Sequence, residues 1–189
     1  MYGIEVLVRE HDNILRFTRV IRRYLLRAMD GEILFLDELS GMIDFIRNYS
    51  DAHHHGKEEE ILFHYMLEDG GDVAEKIVRQ GMLVEHDQAR GIVRDLEAAR
   101  IAYESEASAA HLLDIFGLLY AYVRLLEAHA ARENEVVYPF GERALSEEKK
   151  ASVDAETRAF EEEGASVKEK QLSALARWEE ILDGGGNTD

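Results

Sequence analysis

Apolar residues recur along the chain at intervals of three and four, as in Ile14, Phe17, Ile21, Tyr24 and Leu25, and again in Leu112, Ile115, Leu119, Tyr122 and Leu126. That spacing lays an apolar stripe along a helix of 3.6 residues per turn and predicts an all-α protein. The pattern breaks at Asp30-Gly31, at Asp69-Gly70-Gly71, at Gly81, over the weakly apolar stretch 104–109, at 139–141, at Gly164 and at Gly184-Gly185-Gly186. Glycine ends helices because it adopts backbone conformations that other residues avoid. The breaks predict four long helices, over about 4–29, 32–69, 82–104 and 108–143, with 72–80 as a short helical or irregular connector. Ser146, followed by Glu147 and Glu148, reads as an N-cap with acidic first-turn residues. It opens a fifth helical segment running to about Asp183, with a break expected near Gly164. Leu172, Leu175, Trp178 and Leu182 form a stripe there that suits packing on the bundle, or contact with a second copy or another protein.

Composition narrows the chemistry. The chain is 46% hydrophobic and 32% charged, with one proline and no cysteine, so disulfides and thiolate ligands are excluded. Its first residues are too acidic for a signal peptide, and the apolar stretch 112–123 is interrupted by Asp114. A cytoplasmic protein is expected. A formal charge of −17 argues against nucleic acid and against membrane binding, since both attractions come largely from Lys and Arg meeting phosphates. A small ligand, a metal or a basic protein partner fits better.

Comparison of the chain with itself gives the sharpest signal. Glu10-His11-Asp12 returns as Glu85-His86-Asp87, a shift of 75 positions. The same shift carries His54 onto His129, Lys57 onto Arg132, Glu58 onto Glu133, Glu60 onto Glu135 and Phe63 onto Tyr138. Two duplicated helical hairpins are implied. Within each, the pairs His54/Glu58 and His129/Glu133 stand four residues apart and project from one helix face. If the hairpins turn at Gly31 and near Glu106, all four histidines fall in one layer. The join between the hairpins matches that level only if 72–80 continues as helix.

Imidazole and carboxylate donors together suit iron, manganese or zinc. Two buried carboxylates ~4 Å apart repel by about 4 kcal/mol at an effective dielectric of ~20, so cations between Glu58 and Glu133 would relieve a real cost. His11, His54, Glu58, His86, His129 and Glu133 are therefore the candidate metal ligands. His53 and His55 flank a candidate on other faces of an α-helix, which predicts exposure or a supporting hydrogen bond. His64 and His111 have no partner in the repeat and are expected at the surface. Tyr24, Tyr65, Tyr120 and Tyr138 are expected to pack in the core, with hydrogen bonds to ligands as a second role. The Glu161-Glu162-Glu163 run reads as a solvated helix face.

These motifs are Glu10-His11-Asp12, then 54–63 (His-His-Gly-Lys-Glu-Glu-Glu-Ile-Leu-Phe), Glu85-His86, and 129–139 (His-Ala-Ala-Arg-Glu-Asn-Glu-Val-Val-Tyr-Pro). In that order the chain resembles the haemerythrin-like (HHE cation-binding) family over about residues 1–145. The resemblance implies an antiparallel up-down four-helix bundle over 1–145; the residues beyond it, 146–189, are expected to form a C-terminal helical extension packed on the bundle and disordered in its final residues. It implies a non-haem centre of two iron ions (Fe2+/Fe3+) with an oxo or hydroxo bridge at the six candidate ligands. A protein that binds or senses dioxygen, nitric oxide or iron follows. The alternative is a di-iron enzyme that reduces peroxide or nitric oxide, or delivers iron for iron-sulfur cluster repair. Oxygen carriers of the family have a further histidine one turn after the third motif histidine, where this chain has Arg90. On that basis both irons are expected to keep an open position, with Arg90 available to stabilise a bound anion, and the reduced protein is expected to pass quickly to the diferric state in dioxygen without a long-lived oxygenated form.

Overall fold

The computed structural model describes residues 1–31 and 35–184, excepting the side chains of 35–37. The expected helix start at 32 and the expected disorder of the final residues lie outside that range. The described residues form five helices and no strand. Helix α1 is Tyr2–Met29, α2 covers 35–69, α3 covers 71–105, α4 is Ala109–Ala144 and α5 is Glu147–Gly184. Helices α1 to α4 make the antiparallel bundle, with α3 along α4, α1 along α4 and α2 against α3. Helix α5 lies over α1 and α2.

The turns follow their glycines. Gly31 has φ +94° and Gly71 has φ +58°, left-handed values that an L side chain would resist. The connector 72–80 is helical: Gly71–Ile77 and Val78–Met82 run on into Leu83–Ser105, which is the condition for a common histidine level. Ser146 caps α5 through its hydroxyl, which accepts from the Lys149 amide at 3.4 Å. Gly164 breaks nothing, and α5 is continuous across it.

Two apolar clusters sandwich a polar layer. One contains Ile14, Phe17, Ile21, Phe45, Tyr49, Leu96, Leu119 and Trp178. The other contains Leu7, Phe63, Met66, Val78, Met82 and Val137. Trp178 docks α5 by packing on Phe17 and Phe45, with ring centroids 5.8 and 6.2 Å away, and its indole N–H donates to Glu38 at 2.6 Å. The stripe Leu175, Trp178 and Leu182 is buried in the protein's own core. Helix α4 is long and apolar enough by length and composition to cross a membrane. Its apolar face, Ile115, Leu119, Val123 and Leu126, instead fills the bundle interior.

Candidate metal centre

Between the two apolar clusters, α1 supplies Glu10 and His11, α2 supplies His53, His54, His55, Lys57 and Glu58, α3 supplies His86, and α4 supplies His129 and Glu133, all buried. The winding of α2 and α4 changes there. Ile46–His55, Glu58–Leu62 and Glu133–Val137 are π-helical, and the last two segments coincide under the 75-residue repeat. Each begins on a candidate carboxylate. Such wide turns gather at functional sites because the extra residue per turn re-aims side chains. Pro139 follows one of them and His64 the other, so proline is not the cause.

Two ligand groups result. His11, His54, Glu58 and Glu133 offer atoms all within 4.8 Å of one another, and so do His55, Glu58, His86 and His129. At metal–ligand bonds of about 2 Å, donors around one ion span up to ~4 Å, so each group is close to closing on a cation. Glu58 Oε2 lies 3.8 Å from His54 Nε2 and 3.5 Å from His86 Nε2. Glu133 Oε2 lies 3.1 Å from His11 Nε2 and 3.2 Å from His129 Nε2. Both carboxylates therefore stand between the two sets of histidines, in position to serve two ions.

All five histidines are aimed by the same device. The Nδ1–H of His11 donates to Asn134 (2.9 Å), His54 to Glu10 (3.1 Å), His55 to Asp51 (3.3 Å), His86 to Glu59 (2.6 Å) and His129 to Glu85 (2.7 Å). Every Nε2 is thereby left facing inward, the arrangement by which outer partners fix a ligand's tautomer and raise its basicity. The repeat extends to these partners. Glu10 with His54 matches Glu85 with His129, and His11 with Asn134 matches His86 with Glu59. The salt bridge of Lys57 to Glu10 matches that of Arg132 to Glu85.

The residues fit a pair of cations. His54 Nε2, His55 Nε2, Glu58 Oε2 and Glu133 Oε1 are buried without a hydrogen-bond partner, and all four meet in the centre of the cluster. Leaving so many polar atoms unsatisfied is costly unless something binds them. Burial and the repulsion of Glu133 push the Glu58 carboxyl well above its ordinary range. Burial, followed by the neighbouring His11, lowers His54 to about 4, which keeps it neutral and ready to ligate.

A comparison with known protein families matches residues 2–141 to the Hemerythrin HHE cation binding domain. The chain belongs to this family. No curated protein and no solved structure matches it. Family and buried cluster together make this haemerythrin-like chain a metal-binding protein.

Within this haemerythrin-like site the structure gathers all six sequence-predicted residues and adds a seventh. His55 is 2% exposed, stacks on His86 at 3.9 Å between centroids and directs Nε2 into the second group. In an α-helix it would point about 100° away from His54. The π-helical winding of Ile46–His55 turns both rings inward. Sequence periodicity does not register that winding; the triple histidine 53–55 was the available hint. A third histidine thus stands in the second ligand group, where the sequence led us to expect none. The role expected of Arg90 is corrected too. Its guanidinium is held by Asp51 and Glu59 at 2.8 Å and by Asp87 at 3.5 Å, so it ties down the acceptors of His55 and His86 and is not left to meet a ligand.

Among the remaining expectations, His53 is buried but belongs to neither group, and sits 3.0 Å from Glu10 and from Glu161. His64 is exposed on α2. Tyr138 takes the second role foreseen for it: its hydroxyl donates to Glu58 at 2.6 Å and lies 3.4 Å from His11 Nε2. Glu161 departs from the solvated face read for its run, since it points inward to Lys57.

Proposed function

We propose that this protein holds two iron ions and binds a small diatomic ligand, dioxygen or nitric oxide, as a carrier or sensor. His11 and His54 would hold one iron and His55, His86 and His129 the other, with Glu58 and Glu133 shared. The observation that carries the reading is this inequality of three histidines against two, with Glu58 common to both groups and Glu133 reaching His129 from the first. A reduced iron pair supplies the electrons needed to take up such a ligand. The chain's own residues decide where it goes. Three imidazoles crowd the His55 side, whereas the His11 side offers two imidazoles and the Tyr138 hydroxyl. The one proton of the Tyr138 hydroxyl is held by Glu58, so Tyr138 could donate to a ligand at that side only by releasing Glu58, and Val137 in the apolar cluster next to it limits water. A pair of sites that were equally open would favour onward reaction over reversible binding.

The test is to reconstitute the protein with ferrous iron without air, admit oxygen, follow the visible spectrum and then strip the gas. Return of the reduced spectrum over repeated cycles is expected. Irreversible loss of that spectrum in the first cycle would overturn carriage and favour the enzymatic reading.

A further inference from the structure

Helix α5 lies beyond the residues matched to the family, yet it reaches the outer edge of the metal layer at one place. Glu161 accepts a salt bridge from Lys57, whose ammonium also pairs with Glu10 and lies 3.0 Å from His53 Nε2. Glu10 in turn is the acceptor of the His54 Nδ1–H. Lys168 closes the outside by pairing with Glu161 at 2.5 Å. Gly164 allows the close approach: a Cβ there would come within 2.7 Å of His53 Nδ1, so any side chain would lift α5 off the layer. Glu10, His53 and Glu161 have the spacing of a metal site, but the Lys57 ammonium already stands among them as their cation.

The internal repeat provides a comparison within the same molecule. In the other half, Arg132 pairs with Glu85 as Lys57 does with Glu10, and Glu85 holds His129 as Glu10 holds His54. Among the described residues no fifth helix covers that half. The Arg132 side chain is 44% exposed, whereas Lys57 is 1% exposed beneath α5. The two matching chains of contacts differ around the cation: lysine stands in one and arginine in the other, Ala128 takes the place of His53, and α5 adds a carboxylate to the Lys57 half.

We infer that Glu161 is a positioning residue for the metal centre, by which α5 sets how strongly Glu10 draws on the His54 proton and so tunes the iron held by His11 and His54. The inference rests on the iron reading above. Its physical basis is competition for one ammonium. A carboxylate that accepts from a ligand histidine makes the imidazole a stronger donor to the metal. Lys57 withdraws charge from Glu10, and Glu161 takes part of Lys57 for itself, so Glu161 leaves Glu10 the stronger acceptor. Poor screening in this buried setting makes such shifts larger than at a surface. The Arg132 half, open to water, lacks this adjustment, which makes the two metal positions unequal beyond their ligand count.

The experiment compares reduction potentials of iron-reconstituted full-length variants. Glu161→Gln gives Lys57 wholly to Glu10 and should raise the potential. Lys57→Met frees Glu10 and should lower it. Glu162→Gln, the same charge change on the exposed neighbour, should move it far less, and Glu161→Asp should restore part of the wild-type value. Equal shifts for Glu161→Gln and Glu162→Gln, or no shift in either Glu161→Gln or Lys57→Met, would overturn the inference. Where Lys57→Met does not fold, Glu161→Gln against Glu162→Gln decides. Wild-type protein that takes up no iron would overturn the iron reading instead. Imidazole nitrogen NMR of metal-free protein then tests the clamp directly: His54 should be fixed as the Nδ1–H tautomer, with its Nδ1–H resonance moved by Glu161→Gln and unmoved by Glu162→Gln. Any other tautomer, or an unmoved resonance, would overturn it.

Discussion

His53, His54 and His55 are consecutive, and each meets a different fate. His53 packs against Phe160 and the Glu10–Glu161 pair, His54 turns to His11, and His55 stacks on His86. The distinction is testable as stoichiometry. His55→Ala should lower bound iron from two per chain toward one by weakening the group with three histidines, and His54→Ala should do the same to the other group. His53→Ala should keep both, since its Nε2 meets carboxylates outside the ligand groups. Glu58→Ala and Glu133→Ala should each impair both ions, because each carboxylate faces both sets of histidines. Elemental analysis after iron loading and desalting measures all five. Full occupancy in His55→Ala together with loss in His53→Ala would reverse the assignment of the two neighbours.

At the level of elements, the helices that carry the ligands are ordinary amphipathic ones until they reach the metal layer. There the π-helical segments at 58–62 and 133–137 start on the carboxylates, and each carboxylate shares the centre with the histidine one turn before it and with residues from other helices. Helix α5 is held at its far end by Trp178, Leu175 and Leu182 in one apolar cluster and nearer its start by Val153 in the other. Trp178→Ala should cost about 3–5 kcal/mol through lost burial and the cavity left behind. Denaturant unfolding would show this as a lower midpoint, and an unchanged midpoint would mean that α5 contributes little to the fold. The Arg16 to Glu179 bridge at 2.6 Å adds a partly exposed contact worth far less.

For the whole molecule, the metal layer divides the hydrophobic core in two, so its energetics bear on global stability. Without cations the layer keeps buried carboxylates that repel each other and polar atoms without partners. Metal-free protein should therefore melt at a lower temperature than loaded protein, since whatever binds only the folded state stabilises it. The gap should narrow as pH falls. Histidines ligate only when neutral, so protons compete with the metal, and the stabilisation present near neutral pH is lost on acidification. Calorimetry of matched loaded and stripped samples across pH measures both effects, and coincident melting at neutral pH would count against a buried site.

Much of this was legible in the sequence because helices and their repeats are local. The 3.6-residue periodicity and the glycine breaks determined an all-α chain, and the 75-residue repeat singled out His11, His54, Glu58, His86, His129 and Glu133 from the other charged residues. The family motifs lie within single helices, so they too could be read without coordinates. What the tertiary structure alone decided depends on winding and on contacts between distant segments. The π-helical turn that brings His55 inward leaves no periodic trace, because the apolar pattern tolerates an extra residue per turn. Arg90 looked free to meet a ligand until Asp51 and Glu59, 39 and 31 residues away, were found to hold it. Gly164 read as a helix break until His53 was seen to occupy the space of its missing Cβ. Glu161 read as one of three solvated acids, and only the packing of α5 over Lys57, 104 residues back, selects it from its neighbours. Periodicity reports which face of a helix is apolar, whereas the partner of a polar side chain is set by whichever helix folds against it.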